Sequence, residues 1–147
     1  MSNFDGIAES ALIFAQLESL CEGRVYRELP DDDALERYSD GQVKPYIDLS
    51  FSVPVPAARG RSIGWARAQP YVFQVNAAVV SGGRVVTDEA AADVTNRLLG
   101  WSPNTNTGGL TVSGGAQFTT TNSGGAPSRR IKIVRMEAVI NLSPVFQ

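Results

Sequence analysis

Residues 45–55 read Pro-Tyr-Ile-Asp-Leu-Ser-Phe-Ser-Val-Pro-Val, and residues 70–80 read Pro-Tyr-Val-Phe-Gln-Val-Asn-Ala-Ala-Val-Val. In the first stretch Ile47, Leu49, Phe51 and Val53 share one face, and Tyr46, Asp48, Ser50 and Ser52 share the other. In the second, Tyr71, Phe73, Val75, Ala77 and Val79 fall together, with Gln74 and Asn76 opposite. Period-two alternation marks a strand buried on one face. The two stretches therefore predict half-buried strands that pair antiparallel as a long hairpin. Asp48 stands among polar neighbours with no second carboxylate, so it reads as a solvated residue and not as half of an acid–base pair.

Between these strands lies Pro-Ala-Ala-Arg-Gly-Arg-Ser-Ile-Gly-Trp-Ala-Arg-Ala-Gln, residues 56–69. It carries Arg59, Arg61 and Arg67 with no acid, and Ile63 and Trp65 inside it. Loops of this length usually have a task in a compact domain. The pattern alone fits either a mobile hairpin tip or a contact arm, because Trp and Arg are the residues that anchor interfaces.

Working outward, residues 4–22 predict a helix. Ile13, Leu17, Leu20 and Cys21 recur at helical spacing, Ile7, Ala11 and Phe14 widen the stripe, Ser2 or Asp5 supplies a cap, and Gly23 stops it. Cys21 lies on the apolar stripe and reads as a small core residue. Arg24-Val25-Tyr26-Arg27 is a short strand candidate. Asp31, Asp32 and Asp33 are consecutive and lack the alternate spacing of a calcium loop, so Asp31 is read as the cap of a short helical turn. After a turn at Ser81-Gly82-Gly83-Arg84, Val85 and Val86 extend a strand. Thr87 then caps a second helix over 88–99, with Ala90, Ala91, Val94, Leu98 and Trp101 on its buried stripe and Gly100 at its exit.

Residues 102–128 are rich in Gly, Ser, Thr and Asn, and read as turns around a threonine-rich strand at 116–121. No phosphate-binding glycine motif is completed there. The last strand, 129–142, changes phase: Ile131 and Ile133 are odd-numbered, whereas Val134, Met136, Ala138, Ile140 and Leu142 are even. A bulge near Ile133 and Val134 would restore its register. Arg129, Arg130, Lys132 and Arg135 make this end basic, while Asp31, Asp32, Asp33, Glu36 and Asp40 make the 31–40 segment acidic. The two patches are either scattered solvation or complementary surfaces of neighbouring copies.

Composition bounds the chemistry. The chain has 147 residues, which favours one domain over 1–147, with 15 acidic and 13 basic residues and a net charge of −2. That balance argues against a protein built to grip nucleic acid through phosphates. There is no histidine and a single cysteine. This excludes Ser-His-Asp and Cys-His catalysis, His-ligated metals and an internal disulfide. Residues 1–22 hold Asp5, Glu9, Glu18 and Glu22 and no Lys or Arg, unlike a secretory signal, and no stretch has the length of a membrane span. The expected fold is α+β, a mainly antiparallel sheet with two principal helices on one face. No catalytic residue, metal ligand or cofactor is expected.

This order of elements resembles the tail-terminator, or tail-completion, proteins of long-tailed bacteriophages, especially those of actinobacterial hosts. The likeness is carried by Val25-Tyr26 before Pro30-Asp31-Asp32-Asp33, and by Gly41-Gln42-Val43-Lys44-Pro45-Tyr46 opening the long strand. It continues through Arg61-Ser62-Ile63-Gly64, Gln69-Pro70-Tyr71, Leu98-Leu99-Gly100-Trp101, and Gly114-Gly115-Ala116 with Phe118. It runs over roughly residues 5–142. The resemblance implies a structural virion protein, not an enzyme, made in the host cytoplasm and sited at the head–tail junction. It implies a hexameric ring that ends the tail tube, partnered by the major tail tube protein and a head-completion or neck protein. DNA would pass only as cargo, with no membrane involved. Expected interface residues are Arg59, Arg61, Ile63, Trp65, Arg67, Asp31, Asp32, Asp33, Arg129 and Arg130. Alternatives are another head-closure or neck protein, a ligand-binding module using the Arg/Trp loop, and a small enzyme using Asp31 and Asp33 with Arg37.

Overall fold

The computed structural model describes residues 6–52, 55–56, 69–104, 108–119 and 127–142. Two helices, α1 (Ile7–Leu17) and α2 (Arg84–Leu98), pack on one face of a sheet. Its strands are β1 (Val25–Tyr26), β2 (Tyr46–Phe51), β3 (Val55–Pro56), β4 (Gln69–Ser81), β5 (Thr111–Thr119) and β6 (Arg130–Leu142). The order across the sheet is β1-β2-β4-β6-β5, with β3 continuing the β2 side of β4. Every pairing is antiparallel except β1 with β2. The class is α+β, as the alternation at 46–53 and 71–79 predicts.

The hairpin across residues 56–69 is present. Tyr46 pairs with Val80 and Phe51 with Val75, and Val55 and Pro56 carry the ladder on to Val72 and Tyr71. The loop itself, with Arg59, Arg61, Ile63, Trp65 and Arg67, lies outside the described residues. So do the proposed cap residues Ser2 and Asp5.

The core lies between sheet and helices. Ile47 and Leu49 of β2, Phe73, Val75, Ala77 and Val79 of β4, and Val134, Met136 and Ala138 of β6 face Ile13 and Leu17 of α1 and Ala91, Val94 and Leu98 of α2. Burial of this apolar surface is the main force holding the layers together. Phe51 and Phe73 stack with centroids 5.9 Å apart, which closes one end of this core.

The first helix is shorter than its apolar pattern. It starts at Gly6, whose φ of 77° sets the entry without a side-chain cap, and ends at Leu17. Ile7 and Ala11 are exposed, so the buried stripe is narrower than the sequence spacing implies. Beyond it a 3₁₀ turn, Leu20–Gly23, places Cys21 and Glu22 at φ 51° and 54° and Gly23 at 88°. Three successive left-handed residues reverse the chain into β1. Only the glycine adopts that conformation freely, so the turn holds about 1 kcal/mol or more of strain at each of the other two.

The second helix begins earlier than expected. Val85, Val86 and Thr87 are inside it, and Gly83 is the N-cap. Thr87 is buried and closes a ring of hydrogen bonds. Its hydroxyl donates to Gly83 O at 2.8 Å and lies 2.6 Å from Ser81 Oγ, which accepts from Gly83 N–H at 3.1 Å. A threonine thus holds the helix entry from its first turn, not from the cap position.

The strand expected at 116–121 is longer and starts earlier, at Thr111. Ser113-Gly114-Gly115 is not a turn but lies within β5. A Cβ on Gly115 would sit 2.7 Å from Ile133 O, so close backbone approach explains that glycine. The register irregularity falls here, between Val112 and Gly114. Opposite β4, β6 runs without interruption from Arg130↔Ser81 to Leu142↔Gln69. No bulge is needed in β6 because both of its faces are used. Val134, Met136 and Ala138 enter the main core, while Ile131 packs on a second cluster of Leu35, Val43, Tyr46 and Val80 on the helix-free face.

Candidate assembly surfaces

The acidic segment forms a flap on the helix-free face. Asp31 precedes a 3₁₀ turn, Asp32–Ala34, and its carbonyl accepts from Ala34 N–H at 2.8 Å. The turn is therefore closed by backbone, with no cap from the Asp31 side chain. Leu35 and Val43 anchor the flap on Tyr46 and Val80. A bridge between Arg37 and Val43 holds its two arms together.

Asp32 is the junction of the flap's charges. Its Oδ2 accepts from Arg37 Nη2 at 2.7 Å and its Oδ1 from Arg129 Nη2 at 2.6 Å. The Arg129 hydrogen bond is the chief reason the Asp32 carboxyl is held below its ordinary value, with Arg37 adding to it. The acidic and basic segments thus meet within one chain. Asp31 and Asp33 are exposed beside this junction. Arg130 is exposed on β6 and donates to Thr119 Oγ1 of β5 at 3.1 Å. Asp32 and Arg129 are therefore brought together at the start of β6, with Asp31 and Asp33 beside them, whereas Arg130 turns to Thr119 of β5.

Asp48 departs from its expected solvation. It is half-buried on the helix-free face, and desolvation pushes its carboxyl above the ordinary value. Arg24 is buried and pinned by Nε donating to Pro45 O at 2.8 Å, with Glu22 and Glu36 at 3.7 and 3.9 Å. Burial likewise raises the Cys21 thiol, with Arg24 opposing that effect. This is the behaviour of a packed thiol, although Cys21 meets the core from the turn after α1 and not from the helical stripe.

The helix-free face beyond the flap is a surface that sequence reasoning missed. Phe118 and Val139 are 47% and 45% exposed there, while Arg135 Nε donates to Asn76 Oδ1 at 2.8 Å. The available signal was the length of β6, whose thirteen residues need a neighbour on each side. Among the described residues, no helix is long and apolar enough to cross a membrane.

No family model matches the sequence, and no curated protein matches it. Among solved structures, a chain from the virion of a native gene transfer agent particle is similar. The TM-score is 0.58 at 19% identity, over 96% of this chain and 100% of that chain. The likeness is one of fold, and it takes in nearly every element described above.

Proposed function

We propose that the chain is a structural virion protein of the tail-terminator kind, not an enzyme. In this reading a hexameric ring of copies sits on the last ring of the tail tube, halts its growth and offers the other face to a head-completion or neck protein. DNA passes through it as cargo. The observation that carries the reading is the fold likeness to a virion chain over 96% of this chain and 100% of that chain. The resemblance of local phrases from Val25-Tyr26 to Phe118 supports it, as does the mild net charge of −2. A strongly basic lumen would hold DNA rather than pass it. The loop bearing Arg59, Arg61, Ile63, Trp65 and Arg67 serves in this reading as a contact arm to the tube or the next copy.

The test is a null mutant of the phage or particle that encodes the chain, viewed by electron microscopy. Headless tails of irregular or excessive length are expected. Tails of normal length already joined to heads would overturn the proposal. Tails of normal length beside heads that have lost their DNA would assign a head-closure role instead.

A further inference from the structure

Strand β5 ends the sheet, and among the described residues no strand pairs with its outer edge. All nine of its residues, Thr-Val-Ser-Gly-Gly-Ala-Gln-Phe-Thr, are exposed, and none is charged. Natural edge strands are blunted by charge, proline, shortness or a bulge, because a free ladder of N–H and C=O groups is a template for another strand. Here such devices sit at its start, where Leu110 bridges Leu99 just before the strand and the register is irregular between Val112 and Gly114, and residues 115–119 pair regularly with β6 beyond them. On the helix side, an open groove of about 390 Å³ runs beside the strand, lined by Thr95 of α2, Val112, Gly115 and Val134 among others. The glycines leave its floor bare, so alternate side chains of an added strand have somewhere to go.

The opposite edge of the sheet is also incomplete. β1 covers only Ile47 and Asp48 of β2. Ile47 N–H points outward to Arg24 O, whereas Ser52 N–H points inward to Gln74 O. Odd-numbered residues of β2 therefore turn their backbone groups outward, and Phe51 does so past the end of β1. The two edges differ in charge. Beside β5, β6 carries Arg130, Lys132 and Arg135 against one acid, Glu137, with Lys132 paired to Asp88 at 3.1 Å. Around β1 stand the exposed acids Glu22, Glu28 and Glu36 against one exposed base, Arg27 over the Phe14 ring, while Arg24 is buried beside Glu22 and Glu36.

We infer that the β5 edge receives the β1–β2 edge of a second copy of this chain, so that the sheet continues from subunit to subunit. Pairing one edge with a different edge is heterologous, and such contacts close into rings when the rotation allows. The inference deepens the ring proposed above by naming the surface that builds it.

The test uses the full chain, followed from micromolar to millimolar concentration by sedimentation and by amide hydrogen exchange. Self-association with exchange slowed about tenfold or more in β5 and in residues 49–51 is expected. The doubly substituted Ala116→Glu, Phe118→Glu chain places acid against the acidic edge at exposed positions. It should keep its monomer melting curve and lose association about tenfold or more. Oligomers whose β5 amides exchange as in the monomer, a chain that stays monomeric throughout, or a double variant that associates normally would each overturn the inference. Tail length in the null mutant is read separately, so failure of the terminator reading is distinguishable from failure of this edge.

Discussion

Arg129 Nη2 lies 2.6 Å from Asp32 Oδ1, tying the start of β6 to a turn 97 positions earlier in the chain. The pair holds the acidic flap down over Tyr46 and Ile131, so Asp32 and Arg129, which look like members of two separate patches in the sequence, are spent within the subunit while Asp31 and Asp33 stay exposed. The surface left to meet a neighbour is correspondingly different from the one that charge counting suggests.

Asp32→Asn should lower stability by about 0.2–1 kcal/mol near neutral pH, since Asp32 is 59% exposed and the solvent screens it. The sign follows from its lowered carboxyl value. The stabilisation is present above the ordinary 3.8 and fades as pH falls through the lower folded value. Urea unfolding of both chains from pH 2 to 7 should show curves that converge in acid, and also in high salt.

Asp48→Asn should act in the opposite direction. Burial raises the Asp48 carboxyl, so its charged form weighs against the folded state above that raised value. The variant is expected to be more stable than the parent at neutral pH, with the difference gone below the ordinary 3.8. Melting temperatures at pH 3 and pH 7 check this.

Gly115→Ala should cost about 1–3 kcal/mol, because the added methyl meets Ile133 O at 2.7 Å and forces the two strands apart. Gly114→Ala, with nothing within 4 Å of its added Cβ, should change stability much less. Denaturant midpoints of the two variants measure the contrast at adjacent positions.

Thr87→Val keeps the shape of the side chain and removes the hydroxyl that joins Ser81 Oγ to Gly83 O. Ser81 Oγ still donates to Gly83 O at 2.8 Å and accepts from Gly83 N–H at 3.1 Å, so losing the Thr87 hydroxyl should cost about 0.5–1.5 kcal/mol. Amide exchange should quicken first at the start of α2, which distinguishes loss of this ring from a general loosening.

The strands that alternate were legible because each has one wet and one dry face. At β2 and β4 the residue pattern and the burial pattern coincide from Ile47 to Phe51 and from Phe73 to Val79. Legibility failed where a second layer intervenes. The odd-numbered Ile131 and the even-numbered Tyr46 and Val80 look out of phase until the flap covers the helix-free face. It failed again at β5, because glycines that permit close strand approach have the same letters as glycines that make turns. The sequence predicts Thr87 as a cap because a threonine before acids suits that position. Its hydroxyl in fact bonds back across the first turn. Of the residues singled out for assembly, sequence gave no means of seeing that Asp32 and Arg129 are partners, because nothing local links positions so far apart.

The pairing of β4 with β6 has a consequence of timing. On its β6 side, each residue of β4, from Gln69 to Ser81, finds its partner only in residues 130–142. On a ribosome, the hairpin and both helices emerge while that side of β4 is still bare, and β5 has no strand beside it. The nascent chain is thus a half-sheet that must wait, and long-range closure of this kind is slow. Its bare edge is also the sort of surface on which unfinished chains stick together, so the yield of this protein in a cell depends on how promptly the last strand is delivered.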